Sequence, residues 1–244
     1  MRQSITLRPF FTFFGGKYRA AKHYPTPTRD RIVEPFSGAA GYSLRYYDRK
    51  IRINDADPVI AGTWDYLVRV SEEEVLRLPL YDGTWETTAD LNLPQEARWL
   101  IGWWLNKGTT APGNRPSAWV RNTAPEDIGE NYWGPGIRAR IARQLRYIRH
   151  WEVSCGSYED MPDEDATWFI DPPYEIAGSY KYRDIDFPFL GEWCRTRSGQ
   201  VMVCENVGAT WLPFMPHREI KATAGRYRSG VSKEALWMPD FDLL

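Results

Sequence analysis

The chain has 244 residues, enough for one large domain or for one domain carrying an insertion. Its hydrophobic content of 43% contains no run near the ~18 apolar residues of a membrane span, and Met1 to Pro9 lacks a signal-peptide core, so a soluble intracellular protein is expected. A net charge of −1 with a pI of about 6.3 argues weakly against nucleic acid. Three scattered cysteines and three scattered histidines fit neither a disulfide framework nor a zinc site, so no metal is expected.

In chain order, an aromatic run, Phe10-Phe11-Thr12-Phe13-Phe14, leads into Gly15-Gly16-Lys17. Two glycines let the backbone approach a ligand closely, and Lys17 adds a positive charge at the start of a short helix expected through Tyr24. The spacing is not that of a Walker phosphate loop. Residues 31–34 form a predicted buried strand, followed by the small-residue loop Pro35-Phe36-Ser37-Gly38-Ala39-Ala40-Gly41 and a helix over 42–48. Strand, small loop, helix is the first unit of a dinucleotide-type α/β fold, though without the Gly-x-Gly-x-x-Gly fingerprint of NAD sites. A second strand, 50–54, ends at Asp55, where such folds hydrogen-bond a ribose hydroxyl. Asp57-Pro58 has the form of a helix N-cap with proline in the first turn.

Ser71 with Glu74 predicts a capping box, and residues 95–106 a helix. The polar loop 106–117 is too long for a simple connection. Over 136–150, Ile137, Ile141, Leu145 and Ile148 form a helical apolar stripe, with arginines on the other faces. Residues 97–151 hold nine Lys/Arg against three acids, a net +6, while 152–165 holds six acids and no base. The basic block suits either nucleic-acid phosphates or a solvated helix face. Lys107, Arg115, Arg121, Arg138, Arg143 and Arg146 are the candidate phosphate contacts. Most of the twelve tryptophans are expected in the core, with a few free to stack on bases.

The apolar strand 167–170 then ends in Asp171-Pro172-Pro173-Tyr174. An acid before two prolines can simply end a strand in a turn. The same residues also suit a site: Asp171 can accept from an amino group, the prolines fix the backbone and remove N–H donors, and Tyr174 offers a ring face to a planar base. Residues 175–187 are expected to be a mobile loop, 187–197 a helix, and 200–204 a strand ending in Glu205-Asn206. Strands are also expected at 218–223 and 234–238, with Arg226-Tyr227-Arg228-Ser229-Gly230 between them.

The ordered set Phe13-Phe14-Gly15-Gly16-Lys17, Glu34-Pro35-Phe36-Ser37-Gly38, Asn54-Asp55, a basic insertion and Asp171-Pro172-Pro173-Tyr174 resembles the Dam-type, N6-adenine-specific DNA methyltransferases. The resemblance covers residues 10–60 and 165–206, and the middle only in placement. It implies a Rossmann-like α/β methyltransferase sheet with helices on both faces, residues 1–70 and 151–244, and a mostly helical target-recognition insertion, residues 71–150. It implies S-adenosylmethionine as cofactor, with S-adenosylhomocysteine as product. Phe13, Gly15, Gly16, Lys17, Glu34, Phe36, Gly38, Asp55 and Asp171 would serve the cofactor. Asp171, Pro172, Pro173 and Tyr174 would serve a flipped-out adenine in double-stranded DNA. The protein would act as a monomer in the cytoplasm of a bacterial or phage-infected cell. This sequence has Ala40 where the family has a second glycine, and Glu205-Asn206 where it often has Ser-Asn. N4-cytosine methylation and a catalytically silent DNA-binding module of the same fold are the alternatives; RNA as substrate is a further one, and a protein-glutamine methyltransferase is disfavoured by Asp171 in place of Asn.

Overall fold

The structure, a computed structural model, describes residues 5–106, 109–175, 184–221 and 231–239. Seven strands form one mixed sheet: β1 (Arg31–Glu34), β2 (Lys50–Asp55), β3 (Glu152–Cys155), β4 (Ala166–Ile170), β5 (Gly199–Asn206), β6 (Met215–Lys221) and β7 (Val231–Trp237). Their order is β3-β2-β1-β4-β5-β7-β6. The first five are mutually parallel, and β7 runs antiparallel to both its neighbours. From β1 the sheet grows one way to β2 and β3 and the other way to β4 and β5. The crossover direction therefore reverses between β1 and β4, and a crevice opens beyond the strand ends there.

The period-2 alternation of strand side chains divides the core into two layers. Ile32, Phe169, Met202 and Leu236 point to one face, where α1 (Pro58–Arg69), α3 (Gln95–Gly102) and α5 (Pro135–Gln144) pack. Val33, Trp168, Ile170, Val203 and Trp237 point to the other, against Leu190, Trp193 and Cys194 of α6 (Phe187–Arg195). All five residues of β4 are buried, as expected of a central parallel strand covered on both sides. Two shorter helices, α2 (Glu72–Arg77) and α4 (Ala118–Arg121), complete the α-helices of the described residues, none of which contains a helix long and apolar enough to cross a membrane.

The predicted cap of α1 is present: Asp57 accepts from the N–H of Val59 at 2.9 Å, with Pro58 in the first turn. Ser71 likewise accepts from the N–H of Glu74, at 3.0 Å, but the Glu74 carboxylate turns to the Tyr66 hydroxyl and leaves the box half formed. Two expected helices are tighter. Residues 17–24 form 3-10 turns at Lys17–Arg19 and Ala21–His23, cut short where Tyr24 goes extended before Pro25. Residues 42–48 form one 3-10 turn, Ser43–Tyr46, because the chain must bend at Arg49 to enter β2. The helix expected over 95–106 stops at Gly102, whose carbonyl accepts from the N–H of Gly113 at 3.0 Å. A Cβ on Gly102 would lie 2.4 Å from Gly113 O, so this glycine admits the returning loop.

Nine of the twelve tryptophans are buried, and they join the segments. Trp64 of α1 touches Phe10, Phe11 and Trp151, with ring centroids 5.3–5.7 Å apart. Trp103 stacks on Phe11 at 5.1 Å. Trp133, fully buried, donates to the carbonyl of Pro79 at 2.8 Å. Trp85, Leu100, Trp133 and Ile141, all within residues 71–150, belong to the same apolar cluster as the first face of the sheet. Denaturation should therefore be one cooperative transition, and Trp133→Ala should cost about 3–5 kcal/mol. Urea melts followed by tryptophan fluorescence and by far-ultraviolet dichroism would check this; separate transitions would mean that the 71–150 segment unfolds on its own.

Candidate active site

A cavity of about 560 Å³ opens at the carboxyl ends of β1, β2 and β4, where the crossover direction reverses. Glu34, Phe36, Gly38, Asp55, Tyr158, Asp171 and Pro173 line it, together with Phe13, Gly15, Gly16 and Lys17. Every residue the sequence assigned to the cofactor thus meets in one place. Of the proposed base-holding residues, Asp171 and Pro173 line the cavity. Pro172 is buried, and Tyr174 packs against the larger core cluster.

The loop after β1 forms the floor, and its path is set by polar groups at the strand ends. Asn54, 3% exposed, donates from Nδ2 to Pro35 O at 3.2 Å and to Gly156 O at 2.9 Å, and its own carbonyl accepts from Ser37 N–H at 2.9 Å. One amide thereby fastens the loops after β1 and β3 to the end of β2. Asp55 accepts from Gly38 N–H at 2.9 Å and from Asp57 N–H at 3.0 Å. Burial pushes its carboxyl up to about 6, with those two N–H groups opposing the shift. Both Asp55 oxygens hold the loop, and each keeps a lone pair for a further donor.

Gly38 has φ 45° and would bring a Cβ within 3.1 Å of the Phe13 ring. At Gly41 a Cβ would meet Tyr18 N at 2.4 Å, so this glycine lets the loop close against the Lys17 segment. Ala40 stands at φ 48°, in the left-handed region that glycine normally occupies. Its N–H donates to Ser37 O at 2.6 Å, which holds the strained turn. Trp64 Nε1 donates to Gly38 O at 2.8 Å and ties the floor to the core.

Lys17 and Asp171 face each other across the rim. Lys17 Nζ lies 2.8 Å from Asp171 Oδ1 and 2.9 Å from Oδ2, and donates to Gly15 O at 3.1 Å. The bond to Oδ2 is a directed hydrogen bond. Oδ1 is close in charge but receives no donor at a hydrogen-bonding angle. Burial, the largest single influence, acts to lower the Lys17 pKa, but the charge and hydrogen bond of Asp171 together with the charge of Glu234 and other nearby groups outweigh it and the pKa is raised, so the ammonium stays protonated. The same Nζ sits 4.8 Å from the centroid of the Tyr174 ring, whose buried hydroxyl also lacks a partner. Glu205, fully buried, accepts from Glu175 N–H at 3.0 Å and from Trp211 Nε1 at 3.3 Å, and so anchors the chain just past Tyr174.

Glu34 is 2% exposed, and Oε1 accepts from Ser43 N–H at 2.7 Å. Burial pushes its carboxyl up to about 8, a shift the bond to Ser43 opposes. The chain reading gave no role to Asn54, Trp64 or Tyr158. A polar residue closing an apolar strand was the available signal for Asn54; nothing local in sequence marks the other two.

The candidate DNA residues are more dispersed. Arg115, Arg121 and Arg143 are exposed, and Arg115 has only Glu86 at 3.9 Å. Trp119 is 55% exposed on α4, two residues from Arg121. Arg146 is exposed, 3.5 Å from Glu72. Arg138 is half-buried and donates to Leu78 O at 2.7 Å, which gives it a structural bond as well as its charge. Lys107, most of the expected mobile loop (176–183) and the 226–230 segment lie outside the described residues. No protein-family model matches the chain, and no curated protein matches its sequence.

The raised Glu34 pKa links stability to pH. An acid whose folded value exceeds its unfolded value stabilises below the unfolded pKa and loses that contribution as pH rises through the folded one. Stability should therefore fall between pH 4.5 and about 8, by on the order of a few kcal/mol. Glu34→Gln keeps the acceptor for Ser43 and should flatten that slope. Thermal melts of both proteins across this range give the comparison, and parallel slopes would refute the assignment.

Proposed function

We propose that the chain is an S-adenosylmethionine-dependent methyltransferase of Rossmann-like fold, acting on N6 of a flipped-out adenine in double-stranded DNA. The observation that carries this is the Asp171 carboxylate, which lines the cavity at the end of β4 and is held by Lys17 Nζ at 2.8 Å and 2.9 Å from its two oxygens. An acceptor held rigidly, beside prolines that add no N–H of their own, suits an amino group that must give up hydrogens. The strand order supports the fold, since doubly wound sheets place ligands at the reversal point, where this cavity lies.

The residues fit the cofactor. The volume falls within the usual range of small-ligand sites, roughly 300–1,000 Å³. Gly38 supplies a cradle that a Cβ would fill, Phe13 a ring face above it, and Asp55 remaining lone pairs for ribose hydroxyls. Glu34, Phe36, Gly15, Gly16 and Lys17 complete the walls. When bound, S-adenosylmethionine supplies an electrophilic methyl group and leaves as S-adenosylhomocysteine; no metal is called for.

The protein's own task is to raise the nucleophilicity of a nitrogen whose lone pair is delocalised into the ring. The Asp171 carboxylate accepts a hydrogen bond from one N6 hydrogen, and a backbone carbonyl near Pro172 accepts from the other. Both contacts favour a tetrahedral nitrogen and so act more on the transition state than on the ground state. Lys17 holds Asp171 fixed in place. Tyr174 stacks on the extruded ring. Residues 71–150 form the target-recognition insertion, with exposed Arg115, Trp119, Arg121 and Arg143 as contacts for the duplex. The enzyme works as a monomer in the cytoplasm of a bacterial or phage-infected cell.

Tritiated S-adenosylmethionine should label DNA, and nucleoside digestion should yield N6-methyladenine. Asp171→Ala should lower turnover by about 10²-fold or more while leaving cofactor binding detectable by calorimetry. N4-methylcytosine in the digest would reassign the base. DNA binding with no label would identify a silent module. Unimpaired turnover in Asp171→Ala would overturn the mechanism.

A further inference from the structure

A second concavity, of about 1250 Å³, shares no lining residue with the cavity. It lies between the 3-10 turns that follow Lys17, the segment 45–48 that leads into β2, the C-terminal end of the α5 segment, and Arg218 of β6. Its cationic side chains are Arg19, Lys22, Arg45, Arg146 and Arg218, and Asp48 is its one carboxylate. Among the described residues, Arg19, Lys22, Arg45 and Arg218 have no acidic group within ion-pair distance; Arg146 has Glu72 at 3.5 Å. Arg218 also keeps a buried Nη1 without a hydrogen-bond acceptor. Counter-charges are few (Asp48 in the groove, Glu72 beside Arg146, and Glu234 near Arg218), and like charges gathered in excess raise the energy of the free protein, which an anion relieves. The neighbouring His23 registers the field: slight desolvation and repulsion from Arg218, Lys22 and Arg45 hold its pKa below the ordinary value.

The groove is also aromatic. Tyr18, Tyr46, Tyr47 and Tyr147 line it, each half-buried. Cations interleaved with aromatic rings suit a phosphodiester chain better than a small anion, because phosphates meet the cations while sugars and bases rest on the rings. Free phosphate would need only one pair of these cations, whereas here they are spread over four separate chain segments. Tyr18 follows Lys17 directly, and its backbone nitrogen packs against Gly41 of the cavity floor, so groove and cavity adjoin.

We propose that this groove, to which the 71–150 segment contributes Arg146 and Tyr147, is a nucleic-acid backbone site separate from the cavity, which holds the strand flanking the segment being acted on. The inference deepens the methyltransferase reading and uses DNA as its probe for that reason. Arg19, Lys22 and Arg45 are exposed, so their replacement should not disturb the fold. The test is fluorescence anisotropy of a labelled 30-base-pair duplex with the full chain, without cofactor, over a range of salt. Arg19→Ala/Lys22→Ala/Arg45→Ala should weaken binding about tenfold or more for every sequence tried and reduce the salt slope by up to about 2.7. Arg69→Ala/Arg77→Ala, which removes exposed cations paired with Asp65 and Glu73, should change neither. An unchanged affinity and slope in the triple variant would overturn the proposal, as would equal losses in the triple and the control variants. Heparin competing as well as duplex at equal charge would overturn the nucleic-acid assignment. Label transfer is measured separately: duplex bound through the groove with no transfer removes the enzyme reading alone, and transfer with an inert groove removes this inference alone.

Discussion

The buried pairing of Lys17 with Asp171 is the constraint on which the site depends. Taking an ammonium and a carboxylate out of water costs several kcal/mol per ion, and close geometry with further hydrogen bonds must offset it. Here the offset comes from contact with both carboxylate oxygens and from Gly15 O. Lys17 stands in the N-terminal segment and Asp171 at the end of β4, 154 residues later. The pair therefore fastens a stretch with little regular structure to the one point of the sheet where a cavity can form. A site arranged this way is coupled to folding, since removing either partner leaves a buried charge uncompensated. A glycine-flanked lysine, weak as a local signal, is thus structural and chemical together.

The strand ends show the same economy. Parallel strands finish with carbonyls and N–H groups that have no ladder partner, and in a crevice water cannot satisfy all of them. Asn54 and Asp55 take up five of these backbone groups between them and thereby shape the floor. The strained Ala40 persists because its neighbours over-determine it: Gly41 is pressed on Tyr18, and Gly38 is held by Trp64. Such a floor is built before any ligand arrives, so binding has little backbone left to order. It also places the cavity one hydrogen bond from the core, through an indole belonging to α1.

Features of short range were legible in the sequence. The bounds of β1, the Asp57 cap and the buried run of β4 follow from alternation, capping chemistry and apolar composition, and all three are present. That Lys17, Glu34, Asp55 and Asp171 serve one site was implied by the family resemblance; the residues themselves showed only that each lies at a strand end or in a glycine loop. What failed was the distinction between an α-helix and a 3-10 turn at 17–24 and 42–48. There composition permits either, and the choice is made by neighbours: Pro25 on one side, and the bend at Arg49 on the other. The packing of residues 71–150 was also illegible. Trp85, Trp133 and Ile141 meet the sheet through tertiary contacts that no window of sequence contains.

Charge was read least well from composition, and the structure gives the reason. Most of the acidic run 152–165 is paired locally. Glu152 and Glu164 each bridge Arg31 and Arg52 at 2.6–2.9 Å, near the starts of β1 and β3, while Asp165 pairs with Arg29. Several arginines of the basic run are likewise engaged: Arg138 donates to Leu78 O, Arg149 to the carbonyls of Val68 and Val70 that end α1, and Arg140 to Pro9 O, with burial lowering its pKa to about 10. A helix face of arginines can thus serve as a row of backbone struts. Once these engaged charges are set aside, the cations lacking partners around Arg19, Lys22, Arg45 and Arg218 come from segments that no charge run identifies. A net charge of −1 thus conceals both a largely paired acidic edge and a positive groove. It is the unpaired remainder, and not the total, that sets the field a charged partner meets.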